Sequence, residues 1–163
     1  MKEKGKLLIL GLIRPLSGSD HHRVKIPMNA LHGQKITINN EEVTIECKFV
    51  EKPLHEFMYS EEDIKNNDII WNVHVISNIP SYVELFCQKY NTLWIQDIDD
   101  SLDIPENHIN RKSFPAEIIA MSKKCLIQQI VASDLVLTTN NILMNDIVNF
   151  CSLVGVSENY LPI

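Results

Sequence analysis

Nothing in this chain has the spacing of a zinc site. Its four cysteines, Cys47, Cys87, Cys125 and Cys151, form no CxxC and no short Cys/His ligand set, whereas structural zinc needs closer ligand pairs. No metal site is expected. Thiols scattered through apolar surroundings read instead as small buried hydrophobes, which points to an intracellular, cytoplasmic chain, or to a host cytoplasm or virion if a phage encodes it. No G-x-G-x-x-G follows the first apolar run, and G-K-[ST] is missing, so neither a dinucleotide site nor a nucleoside-triphosphatase site is supported. The run after Met1–Gly5 is about eight residues broken by Gly11, too short for a membrane span and without the small-residue cleavage site of a signal peptide. Positive charge is not in excess. A formal charge of −6 argues against a module that binds nucleic acid by neutralising phosphates. Internal repeats and low-complexity linkers are missing too.

What remains fits a single domain spanning residues 1–163. The 163 residues, 45% hydrophobic and 22% charged, suit one soluble globular unit with its own core. Leu7–Ile13 is apolar without alternation, the pattern of a strand covered on both faces. Pro15, Gly18 and Ser19 end it, and Ser19 or Asp20 can cap the helix that follows. Pro27 requires that helix to start near Ile26 or to kink there. Val24, Met28 and Leu31 supply its inner face, and Gly33 stops it. Lys35–Ile38 and Val43–Phe49 alternate around Asn39-Asn40, two residues that tolerate positive φ, and so predict a hairpin. Ser60 to Asp63 can cap a short helix.

Asp68–Val75 is the next buried strand, and Ser81 is placed to cap a helix over Tyr82–Tyr90. Thr92–Ile98 is another strand, ending in the acids Asp97, Asp99, Asp100 and Asp103. Ala116–Val131 is the clearest helix, with Ile119, Leu126 and Ile130 on one face, Ile118, Met121 and Cys125 beside them, and Lys123 and Lys124 opposite. Asp134–Leu137, Ile142–Phe150 and Val154–Val156 read as strand, helix and last strand. The alternation predicts an α/β fold, a single Rossmann-like doubly wound and mostly parallel sheet with a β-hairpin insertion.

In open sheets of this kind ligands bind at the carboxyl ends of the strands, which selects the candidates. Gly18 to Arg23 forms a turn whose backbone N–H groups can face an anion, with Gly18, Ser19 and Arg23 as binding residues. His21 or His22 can act as a base, since imidazole titrates near neutral pH; neighbouring side chains diverge, so at most one faces a cleft. The acid run can supply a base or hold a cation, with Asp99 and Asp100 favoured, although an EF-hand would need a glycine that is missing. His74 ends a strand at the same edge. Thr138, Thr139 and Asn140 occupy a strand-to-helix turn, where a hydroxyl can meet a ligand or simply cap the helix. Trp71 and Trp94, each inside a strand, are expected in the core rather than stacked on a sugar.

Four segments carry a resemblance. "GSDHHRVKIPMNAL" resembles a small-residue loop followed by a His-Arg pair, a proline and an apolar helix. "NNDIIWNVHV" is similar to a D-I/V-I/V strand at an acceptor cleft, "NTLWIQDIDDSLDIPENH" to a v-x-D-x-D-D-x-L segment, and "ASDLVLTTNNILMNDI" to A-D-x-V-x-x-S/T-T-x-x-L. In this order and spacing, over about Lys6 to Phe150, they resemble the N-terminal, acceptor-side half of GT-B-fold glycosyltransferases of bacteria and phages. The resemblance implies sugar transfer from a nucleotide-sugar donor, with no further cofactor. His22, Asp99 or Asp100 would be the base; Gly18, Ser19, Arg23, His74, Thr138 and Thr139 would border donor phosphates and acceptor. In that family the second domain holds most of the donor, and "VSENYLPI" falls about where the link to it begins. A protein partner or a homo-oligomer is therefore expected to cover the second-domain face, with a sugar acceptor, no membrane, and nucleic acid only as a glycosylation acceptor. The other expectation is a non-catalytic binding or assembly module on the same half-domain, with a large apolar face around Val154–Ile163 or the 35–50 hairpin.

Overall fold

The computed structural model describes residues 2–53, 56, 58–73, 82–99, 115–151 and 153–157. A seven-stranded sheet in the order β2-β3-β1-β4-β5-β6-β7 organises them. Its strands are β1 (Lys6–Ile13), β2 (Lys35–Ile38), β3 (Glu41–Glu51), β4 (Ile69–Val73), β5 (Leu93–Ile98), β6 (Leu135–Thr138) and β7 (Val154–Val156). Every neighbouring pair is parallel except β2 with β3. That exception is the expected hairpin, turned by Asn39 and Asn40 at φ 51° and 67°, the mirror-image turn that matches strand twist. The Rossmann-like architecture inferred from the sequence is the one observed.

Strand alternation sorts the core into two faces. Leu10, Leu12, Ile70 and Trp94 meet Tyr59, Ile64 of α3 (Glu61–Lys65) and Val83 and Cys87 of α4 (Tyr82–Tyr90). On the same side, Ile98 and Val136 pack with α5 (Ala116–Ala132) and α6 (Asn141–Ile147) through Leu126, Ile130, Leu143 and Ile147. Ile9, Ile13, Ile45, Trp71 and Val73 face the other way, onto Val24 and Met28. Ile118 and Met121 of α5, expected beside the core, are instead exposed. They lie on the rim of the apolar arc, whereas Ile119, Cys125, Leu126, Gln129 and Ile130 are the buried residues of α5. All four cysteines are buried and free.

The helix after β1 starts earlier than the sequence suggests. Ser17, not Ser19 or Asp20, caps α1 (Gly18–Asp20), and a π-helical turn, His21–Lys25, carries the chain into α2 (Ile26–Leu31). Ile26 N–H bonds to the His21 carbonyl, five residues back. This widened turn precedes Pro27, so the ring and its missing N–H fall in the first turn of α2, where proline is tolerated. Gly11 makes the close packing possible. A Cβ there would stand 2.7 Å from Met28 Sδ and 2.9 Å from Val24 Cγ1.

Candidate functional site

The sheet order reverses between β1 and β4, because β1 leads to β3 on one side and β3 returns to β4 on the other. The carboxyl ends of β1, β4 and β5 therefore border the crevice where doubly wound sheets take ligands. Two ion pairs stand there. In the loop after β1, Arg14 donates from Nε to Asp20 Oδ2 at 2.9 Å and from Nη2 to Oδ1, while its backbone N–H reaches Oδ2 at 2.6 Å. Asp20, fully buried, thus clamps the loop back onto the strand it leaves.

The second pair joins the π-helical turn to the middle of the sheet. Arg23 donates from Nε to Asp97 Oδ1 at 2.8 Å, Nη2 approaches the same oxygen to 2.8 Å, and Nη1 donates to the Ser157 carbonyl just past β7. Both side chains are almost wholly buried, Arg23 at 3% and Asp97 at 1% side-chain exposure. The turn that places Arg23 lies against the sheet because Gly11 lets Val24 and Met28 descend onto β1.

Asp97 sits between Val73 and Leu137 in the ladder and faces the side that carries Ile95. Burial pushes its carboxyl up to about 7; Arg23 pulls in the opposite direction, and the neighbouring charge of Asp99 adds to the rise. The indole N–H of Trp71 is near enough to favour the ionised form without full hydrogen-bond geometry. Neither that N–H nor Asp97 Oδ2 has a hydrogen-bond partner among the described residues. The buried donor and the buried acceptor thus face each other across β4 and β5 without a full hydrogen bond, an arrangement rare among buried polar atoms. A carboxyl near neutrality is also matched to general-base work.

On the opposite face, Asn72 donates to Gln96 Oε1 at 3.1 Å and accepts from Trp94 Nε1 at 2.9 Å. This buried network ties β4 to β5 and explains why Trp94, as expected, lies in the core.

The residues selected from the sequence divide. Arg23 is the one drawn into the centre, as the partner of Asp97. Asp99 is half-buried after β5, and its charge acts on Arg14 as well as on Asp97. Gly18 opens α1 with open space where a Cβ would go. Ser19 is half-buried, and His21 and His22 are exposed, packed edge to face at 5.3 Å. Thr138 uses its hydroxyl on the Asn140 and Gly155 carbonyls at 3.2 and 3.4 Å, and Thr139 accepts from Asn140. Asn140 caps α6 through the Ile142 and Leu143 N–H groups at 3.0 and 2.9 Å. Capping therefore accounts for that turn. His74 and Asp100 lie outside the described residues.

Asp97 is the residue that reasoning from the sequence undervalued. Its signal was present: "LWIQDI" has apolar residues on both parities, so a strand covered on both faces buries the carboxylate whichever way it points. Among the described residues no group of three or more His, Cys, Asp or Glu side chains could hold a metal ion, and no helix is long and apolar enough to cross a membrane. Comparison with protein-family models finds no match, and no curated protein matches.

Proposed function

We propose that this chain is a glycosyltransferase-like domain that carries the acceptor side of a sugar-transfer site and works with a donor-binding wall from another polypeptide. The buried Arg23–Asp97 pair carries this reading: a carboxyl near the carboxyl edge of the sheet, raised by burial to about 7, with one buried oxygen that has no hydrogen-bond partner among the described residues. In the reaction, Asp97 Oδ2 accepts the proton of the acceptor hydroxyl. The acceptor oxygen then bonds to the anomeric carbon, and the bond from that carbon to the donor's phosphate oxygen breaks, its electron pair leaving with the nucleotide. Arg23 is a positioning residue. It holds Oδ1 and so aims Oδ2, while Trp71 N–H offers a donor to the same hydroxyl. Asp99 raises the basicity of Asp97 through its charge.

Transfer and hydrolysis of a panel of nucleotide-sugars, by the purified chain and by the complex isolated from its native cells, test this. Asp97→Asn should lower kcat about 10²–10⁴-fold in whichever form is active. No turnover in either form would sink the enzyme reading.

The second reading is a non-catalytic assembly module, and a specific observation favours it. Ile142, Val148, Phe150, Leu153 and Val156, exposed apolar residues, fall within one 15-residue stretch over α6, the segment after it and β7. The hairpin, by contrast, exposes Lys35, Thr37, Glu41 and Glu42 and offers no apolar face. A clean monomer at high concentration would count against the assembly role.

A further inference from the structure

β7 is held weakly by its own ladder. It is three residues long, closes the strand order and has β6 as its one neighbour among the described residues. Across that ladder Val136 N–H donates to the Leu153 carbonyl at 3.1 Å and Ser157 N–H to the Thr138 carbonyl at 2.8 Å. Side chains add little burial: Leu153 is 57% and Val156 38% exposed, and Val154 packs, only partly buried, against the cluster that holds Ile147 and Cys151. A short terminal strand with few buried contacts opens more easily than the rest of a fold.

A contact of another kind reaches its end. Arg23 donates from Nη1 to the Ser157 carbonyl, and the same guanidinium holds Asp97 Oδ1 through Nε at 2.8 Å, with Nη2 also 2.8 Å away. Arg23 belongs to the π-helical turn, Asp97 to β5, and Ser157 follows β7. One cation, 3% exposed, thus bridges segments as far as 134 positions apart. The guanidinium is planar and rigid, so the arm on Asp97 sets the direction of the arm on Ser157. The turn that carries it is itself anchored, because Val24 and Met28 pack closely over Gly11 of β1.

We propose that Arg23 is a latch that couples the docking of β7 to the carboxylate of Asp97. A carboxylate holds a guanidinium about twice as strongly as a neutral acceptor does. With that charge in place, Arg23 is aimed at Ser157; without it the aim is lost and β7 opens more often. The latch goes beyond the sugar-transfer reading and is read out as amide exchange rather than turnover, so either can fail without the other.

Amide exchange of the full chain at pH 8, above the point at which Asp97 titrates, tests the latch. Val136 N–H reports on β7, and the N–H groups of Ile45 and Lys52, bonded to the Gln34 and Ile13 carbonyls, are controls. Asp97→Asn, which keeps an acceptor for Arg23 but not the charge, should speed exchange at Val136 about fivefold and leave the controls no faster. Ser157→Pro removes the N–H that Thr138 holds and displaces the carbonyl that Arg23 holds. It should also speed Val136, and Asp97→Asn should then add nothing. Arg23→Lys, an ammonium without the fork, should abolish the effect of Asp97→Asn in the same way. Exchange at Val136 that is unchanged or slower in Asp97→Asn, or raised by the same factor with and without Ser157→Pro, overturns the latch.

Discussion

Replacing Asp97 by asparagine should stabilise the protein at alkaline pH and leave it nearly unchanged in acid. In the unfolded chain the Asp97 carboxyl titrates at its ordinary 3.8; in the folded protein burial raises it to about 7, the attraction of Arg23 only partly opposing the rise. Between those values the folded state holds a proton that the unfolded state has released. Unfolding therefore becomes easier as pH rises: the contribution of Asp97 is fully present below pH 4 and is lost as pH climbs through 7. At about 1.4 kcal/mol per pH unit, the loss over that span is about 4 kcal/mol. Asparagine is nearly isosteric with the protonated acid and still offers Arg23 an acceptor, but it does not titrate. Urea denaturation at half-unit steps from pH 4 to pH 8.5 measures the difference. The two stability curves should meet near pH 4 and separate steadily, Asp97→Asn lying above the wild type by up to about 4 kcal/mol at pH 8. Parallel curves, or a variant less stable than the wild type at pH 8, would refute the reasoning, because they would mean that the Arg23 attraction outweighs the desolvation of Asp97.

Gly11→Ala places a methyl group 2.7 Å from Met28 Sδ, whose flexible end can yield, and 2.9 Å from Val24 Cγ1, which is fixed in the π-helical turn; a loss of about 1–3 kcal/mol is expected in chemical denaturation. Since Val24 adjoins Arg23, the same variant should also flatten the pH dependence attributed to Asp97. Asn140→Ala removes the acceptor for two N–H groups of α6 and should cost about 0.5–2 kcal/mol, with faster hydrogen exchange at Ile142 and Leu143 as the local signature.

Much of the architecture was legible in the sequence because it depends on local chemistry. Asn39-Asn40 names its own turn, Ser60 and Asp63 form the capping box they suggest, and the apolar run of β1 announces a strand buried on both faces. The helix after β1 was harder. Pro27 drew attention to Ile26, whereas the helix begins at Gly18 and absorbs the proline through a π-helical turn, a solution set by packing against Gly11 rather than by propensity.

The site divides in the same way. Composition and spacing by themselves gave no support to zinc, dinucleotide or triphosphate chemistry, and they pointed to the edge where Arg23 and the acid run fall. Which acid is buried was decided only by tertiary structure. Asp97 and Asp99 are the same residue type two positions apart, yet the last turn of β5 buries one between Val73 and Leu137 and leaves the other half in solvent. A pKa depends on that dielectric and on a guanidinium 74 positions away in sequence. Strand order β1-β4-β5, with the helix lying over it, brings the two groups together, and no local pattern in the chain encodes that meeting.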